Sequence, residues 1–229
     1  MPKSEVAEFA LYAPVEGWVK RRFSCWETAI NTGPKVGRIH AVGVRDVGGD
    51  LSGRSEVIAV EVKAGHQPFA NCAGQALGYS VMADRCYLAD CRSGREPFTS
   101  TEQLIAGRLG VGLLAINSAG RITEVASAPP HEPIEELRLQ VLEKLGLSLC
   151  SVCGSLFRRS EGRASSDFKR VSRAAARPGS VKRAVAEELR FVRRLEDAAA
   201  ERDGKGRDAT YRRRYLCSDC VWNLFRDFA

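Results

Sequence analysis

The stretch "EVIAVEVKAG", residues 56–65, limits the fold of this chain more than any other. Val57, Ile58, Ala59, Val60 and Val62 make an apolar strand, and a strand of this kind needs a sheet and a core around it. The same strand ends by placing a carboxylate and an ammonium, Glu61 and Lys63, two residues apart. Because the side-chain period of a strand is two, both leave the same face. That face meets either water or a phosphate and a metal ion.

The flanking sequence supplies the rest of the sheet. "APVEGWVKRRF", residues 13–23, reads as an amphipathic helix opened near Pro14, with Val15, Trp18, Val19 and Arg22 or Phe23 at helical spacing. "GRIHAVGVRD" and "SEVIAVEVKA" read as two antiparallel strands joined across the glycine-rich "VGGDLSG". A helix at "ANCAGQALGYSVMA", a short strand at "DRCYLAD", a capped helix at "TEQLIAGRLG" and a hairpin at "VGLLAINSAGRITEVAS" follow. The expected order is helix, strand, strand, helix, strand, helix, strand, strand, an α/β mixed sheet flanked by helices on both faces. Residues 1–127 form this core. The prolines of "SAPPHEP" close it, and residues 128–149 hold a linker and an amphipathic helix with Ile134, Leu137, Val141, Leu142 and Leu145 on one face.

With 44% hydrophobic residues among 229, the chain can bury one core of ordinary size and a smaller module. No apolar run approaches the roughly 20 residues that cross a bilayer, and the first residues lack the pattern of a signal peptide. The expectation is a cytoplasmic protein with no membrane partner.

Cysteine usage divides the chain further. Cys25, Cys72, Cys86 and Cys91 are scattered and read as small buried or incidental residues. Cys150, Cys153, Cys217 and Cys220 form two Cys-x2-Cys knuckles, "LCSVCGSLF" and "LCSDCVW", which together fill a tetrahedral Zn2+ site. Redox pairs and iron–sulfur ligation are the other uses of such pairs. A four-thiolate zinc is closed to substrate, so its role is architectural. Residues 150–229 are therefore expected to be a small α-rich zinc-binding domain, with "GSVKRAVAEELRFVRRLEDAAAERD" as a helix between the knuckles.

This module is basic. Residues 154–216 carry 18 Lys and Arg against 9 Asp and Glu, or +9, which leaves −2 for the rest of a chain whose total is +7. Arg158, Arg159, Lys169, Arg170, Arg212, Arg213 and Arg214 are candidate phosphate contacts, with Tyr211, Tyr215 and Trp222 as stacking or packing rings. A segregated basic block suits a polyanion, nucleic acid above all, while a solvated arginine-rich helical face is the alternative.

On "IAVEVK" closing the second hairpin strand, on "GQALGYS" in the following helix and on the element order, residues 10–127 resemble the PD-(D/E)XK nuclease superfamily, the restriction-endonuclease-like fold of RecB-type and Mrr-like enzymes. Gln75-x3-Tyr79 looks like the Gln-x3-Tyr motif of the RecB-type branch, with both side chains on one helical face. The resemblance implies a divalent-metal-dependent nuclease acting on DNA, with Mg2+ or Mn2+ at the site. It also implies an aspartate in the first hairpin strand facing Glu61. A turn centred near 50.5 puts residue 40 opposite residue 61, and position 40 is His40. Asp46 and Asp50 lie at the turn end, on the order of 20 Å away, and read as turn residues.

The resulting assignment has Glu61 and His40 holding the ion, and Glu16 supporting it, with Glu27 as second choice. Lys63 orients water or stabilises transition-state charge, and Gln75 positions water or phosphate, while His66 beyond the strand reads as a loop residue. Histidine in place of aspartate suits magnesium poorly and manganese, cobalt or zinc better. It also opens a second reading, a catalytically silent nuclease fold that binds nucleic acid or serves as a scaffold. Whether two chains pair to cut two strands stays open.

Overall fold

The computed structural model describes residues 8–48, 55–65, 67–92, 96–150, 153–164 and 215–219. The chain divides into two units, Met1–Gly48 with Ser55–Leu145, and Gly49–Arg54 with Gly146–Ala229.

In the first unit a 3-10 turn, Glu8–Leu11, runs into α1 (Tyr12–Phe23), and β1 (Glu27–Thr32), β2 (Ile39–Asp46) and β3 (Ser55–Lys63) follow. Next come α2 (Phe69–Gly78), a 3-10 turn at Tyr79–Val81, β4 (Arg85–Cys91), α3 (Ser100–Leu109), β5 (Val111–Ile116), β6 (Ile122–Ala126) and α4 (Glu135–Lys144). The six strands form one sheet in sequence order. β1, β2 and β3 make an antiparallel meander, β3, β4 and β5 run parallel, and β6 returns antiparallel to β5. The mixed sheet flanked by helices is thus present, with one strand that the sequence reading omitted. β1 is "ETAINT", an edge strand whose residues are half-buried or exposed, so no apolar alternation marks it.

The apolar succession of β3 has its reason in this topology. A central strand with a parallel neighbour is covered on both faces, and Val57 through Val60 and Val62 are fully buried. Ile58, Val60 and Val62 pack with Val15 and Val19 of α1, and with Ala89 and Leu114. The other face of the sheet gives Leu88, Leu113 and Ala115 to Cys72, Ala73 and Ala76 of α2 and Ala106 of α3. Odd-numbered β3 residues, Glu61 and Lys63 among them, therefore emerge on the α2 side. α1 crosses β2 at Gly43, where a Cβ would lie 2.7 Å from Cys25 Sγ and 2.8 Å from Val19 Cγ1. Only a glycine admits the helix so close.

α3 opens with a capping box, Thr99 and Glu102 bonding each other's backbone N–H groups, as its sequence indicates. α4 corrects the expected helical face. Val141 and Leu142 are buried, but Ile134 is 51% exposed, and Arg138 is buried in its place. Arg138 Nε donates to Asp84 at 3.0 Å, and its guanidinium also bonds Ser55. Cys25, Cys72 and Cys86 are buried free thiols.

The described part of the second unit contains two short β-ribbons. β7 (Leu147–Leu149) pairs with β8 (Leu156–Arg158), and β9 (Arg163–Ala164) with β10 (Tyr215–Leu216), each pair antiparallel. The helix expected over 179–203 lies outside the described residues, as do Lys169, Arg170, Arg212, Arg213, Arg214, Tyr211 and Trp222.

Candidate active site and candidate metal centre

Partner residues of β2 and β3 have numbers that add to 101, from Asp46 with Ser55 to Ala41 with Val60. The next step of that register puts His40 beside Glu61, and His40 Nδ1 lies 3.4 Å from Glu61 Oε2. The ring also meets the β3 backbone, with Nδ1 3.2 Å from Val62 N and 3.3 Å from Val62 O. Accepting from the Val62 N–H needs a bare Nδ1, whereas donating to Val62 O or Glu61 needs the proton there. In the bare form, the one that ligates metals, the Nδ1 lone pair is already turned toward β3.

Glu61 and Lys63 do not form a wetted face. They are 3% and 6% exposed. Lys63 Nζ lies 2.8 Å from Glu61 Oε1, and the Tyr79 hydroxyl lies 2.5 Å from Glu61 Oε2. Burial works against the Lys63 ammonium, but the hydrogen bond and charge of Glu61, with Glu8 behind them, outweigh it and raise its pKa. Burial and the bond to Glu61 both push the Tyr79 phenol far above its ordinary range. Tyr79 O also lies 3.0 Å from Arg38 O, so one phenolic proton faces two acceptors.

A second carboxylate reaches this cluster from a residue the sequence reading passed over. Glu8, on the turn before α1, has Oε1 3.8 Å from His40 Nδ1 and Oε2 3.7 Å from Lys63 Nζ. Tyr12 donates to Glu8 Oε1 at 3.2 Å, and its ring stacks on His40 with centroids 4.5 Å apart. Burial and then the Glu8 charge raise the Tyr12 pKa to about 12. The sequence signal for Glu8 is its spacing of four from Tyr12, one helical turn. Starting the helix at Pro14 concealed it.

Glu16, the expected helix carboxylate, turns elsewhere. It accepts from Thr28 Oγ1 at 2.5 Å, on β1. Glu27 opens β1 across from Val44. α2 ends at Gly78, and of the Gln75-x3-Tyr79 pair Gln75 is exposed while Tyr79 is buried on the following 3-10 turn. Asp46 has the turn role expected of it, accepting from Gly48 N–H at 2.9 Å. His66 and Asp50 lie outside the described residues.

The cluster is most open at Glu8 and His40, whose side chains are 30% and 19% exposed. Lys35 and Arg38, both exposed, lie on the segment between β1 and β2, and the Arg38 carbonyl that meets Tyr79 fixes that segment beside the site.

In the second unit, Cys150, Cys153 and Cys217 have their Sγ atoms within 4.8 Å of one another, the only such group of candidate ligands among the described residues. Cys153 and Cys217 Sγ are 3.8 Å apart. That is far beyond a disulfide bond and equal to the edge, about 3.8 Å, of a tetrahedron with metal–sulfur bonds of ~2.3 Å. Cys217 N–H points at Cys150 Sγ at 3.4 Å, and Gly154, at φ +76°, turns the chain so that its N–H bonds the Cys150 carbonyl. These three thiols are arranged so that they could hold a metal ion. Cys220 lies outside the described residues. Of the expected basic contacts, Arg158 is exposed with Nη1 3.8 Å from Glu161, and the Arg159 backbone N–H bonds Gly146 O.

Comparison with protein-family models gives no match, and comparison with curated proteins gives none. Among the described residues no helix is long and apolar enough to cross a membrane.

Proposed function

We propose that the chain is a divalent-metal-dependent deoxyribonuclease of the PD-(D/E)XK type, with a zinc-holding basic module that grips nucleic acid. The observation that carries this reading is the burial of Glu61 and Lys63 together at the end of β3, with Glu8 and His40 at their open side. An incidental Glu-x-Lys on a strand would be solvated. Taking a carboxylate and an ammonium out of water has a cost that a simple structural pair seldom recovers. The element order on which the resemblance rests supports the reading too, with β1 inserted between α1 and β2.

The donor set fits a hard ion with some nitrogen character. Glu61, Glu8 and His40 would hold it, two carboxylates and one imidazole, a mixture that suits Mn2+ better than Mg2+. Bound there, a divalent ion supplies Lewis acidity at the phosphate and a more acidic water. Lys63 donates to a phosphate oxygen as charge develops, and Tyr79 fixes Glu61 through its hydroxyl. Lys35 and Arg38 attract the phosphate backbone to the mouth of the site. In the second unit Cys150, Cys153 and Cys217, with Cys220 as the fourth thiolate, would hold a structural Zn2+.

A second reading has its own observation. His40 Nδ1 sits against the Val62 N–H, so the residue standing where the resemblance implies aspartate is engaged in strand pairing. In that reading the fold binds nucleic acid without cutting it.

Cleavage of labelled single- and double-stranded DNA in Mg2+ and in Mn2+ separates the two. The nuclease reading expects cutting, stronger in Mn2+, a loss of about 100-fold or more in Lys63→Ala, and a gain in Mg2+ for His40→Asp. If neither the chain nor His40→Asp cuts any substrate in either ion, the binding-protein reading replaces it.

A further inference from the structure

Asp90 is a carboxylate that none of the preceding chemistry uses. It lies on β4 as the ladder partner of Lys63 on β3. Neighbouring strands run about 4.8 Å apart, and laterally paired residues project to the same face, so Asp90 stands beside Lys63 on the side covered by α2. Only 1% of Asp90 is exposed. Its Oδ2 accepts from Arg92 Nε at 2.7 Å. Arg92 is itself fixed, with Nη2 3.2 Å from Glu102 and its guanidinium 5.2 Å from the Phe98 ring centre. The carboxylate is therefore held in place. Yet Oδ1 is buried with no hydrogen-bond partner among the described residues.

A buried carboxylate oxygen strongly favours a donor. Lys63 carries three N–H donors on a flexible stem; Glu61 accepts from it at 2.8 Å, while Glu8 lies 3.7 Å away. Burial and then the Asp90 charge raise the pKa of the Cys72 thiol in the first turn of α2, with the Lys63 charge opposing them. Arg92 already has its carboxylates. Lys63 is the cation free to change partner.

We propose that Asp90 is the second seat of the Lys63 ammonium: when Glu61 turns its carboxylate to a metal ion, Asp90 Oδ1 receives Lys63 and holds it at the reacting phosphate. This rests on the nuclease reading for its purpose, but not for its geometry. Glu61 cannot serve the ammonium fully and a divalent ion at once, and Glu8 is drawn to the same ion. Asp90 is the buried carboxylate on the neighbouring rung of the ladder. It acts through Lys63, as a positioning residue.

A crystal structure of the full chain bearing Glu61→Gln tests the geometry, since this isosteric change leaves Lys63 a neutral amide on one side and a charged carboxylate on the other. The expected result is Lys63 Nζ within hydrogen-bond distance of Asp90 Oδ1. Nζ remaining on the residue 61 amide, or turned to solvent, overturns the proposal. Kinetics test the purpose. Asp90→Asn is expected to lower kcat about tenfold with KM unchanged, and Asp90→Glu to recover part of it. An unchanged kcat in Asp90→Asn also overturns it. A chain that cuts no DNA sinks the nuclease reading alone, because the Glu61→Gln structure still decides where Lys63 sits.

Discussion

Glu61 is held by three different kinds of group, an ammonium, a phenol and an imidazole, and each can be withdrawn singly. Tyr79→Phe removes only an oxygen. Leaving Glu61 Oε2 without that donor is expected to lower unfolding free energy by about 1–3 kcal/mol, read by urea denaturation. Lys63 adds a pH signature. Its folded-state pKa is raised, so its stabilisation is fully present below the unfolded lysine value, about 10.4, and is lost as pH rises through the folded value. The stability difference between the native chain and Lys63→Met should therefore be flat from neutral pH to about pH 9, and should shrink above about 10.4. A difference that shrinks between pH 6 and 8 would exclude Lys63 as its source. At this scale the sequence showed Glu61, Lys63 and the facing His40, because strand period and hairpin arithmetic are local rules. It did not show Glu8, whose place depends on where a helix begins, nor Asp90, whose neighbour lies on a strand 27 residues away.

At the scale of elements, legibility follows burial. β3 and α3 could be read from residue pattern, the first by its apolar run and the second by its capping box. β1 could not, since an edge strand has no buried face to mark. α4 misled for another reason: the helical period was right, but the buried position belongs to Arg138, whose partners Asp84 and Ser55 are remote in sequence. Such a tie is invisible until the fold brings the three together. The contact of α1 with β2 gives this scale its prediction. Gly43→Ala puts a methyl group into Cys25 Sγ and Val19 Cγ1, and is expected to cost about 1–3 kcal/mol by overpacking. An equal stability of variant and parent, by thermal melting, would mean that the helix can retreat from the sheet without loss.

For the whole molecule the decisive sequence facts are the paired cysteines and the uneven charge. Three of the four thiols meet, though 63 residues separate Cys153 from Cys217, because ligand spacing is a constraint independent of the chain between. The short ribbons β7–β8 and β9–β10 were not legible in the sequence, since they carry too few residues to show a period. If zinc is the ion, elemental analysis should find one per chain, and Cys217→Ser should lower zinc affinity by orders of magnitude while the sheet unit melts as before. Full zinc retention in Cys217→Ser would remove that cysteine from the ligand set. On the proposed reading, the +9 segment should give a DNA affinity that falls steeply with salt, read by titration at rising ionic strength.

The turn Glu8–Leu11 has a bearing on how such a chain can be silenced. It contributes no strand and precedes the first helix, yet it carries one of the two carboxylates at the mouth of the site. Cutting the chain just before Tyr12 would take that carboxylate away while keeping every strand, and would also remove Leu11 from the core. On the proposed nuclease reading, loss of this one turn would remove a metal ligand while the sheet keeps every strand, so cleavage at this end would switch the reaction off.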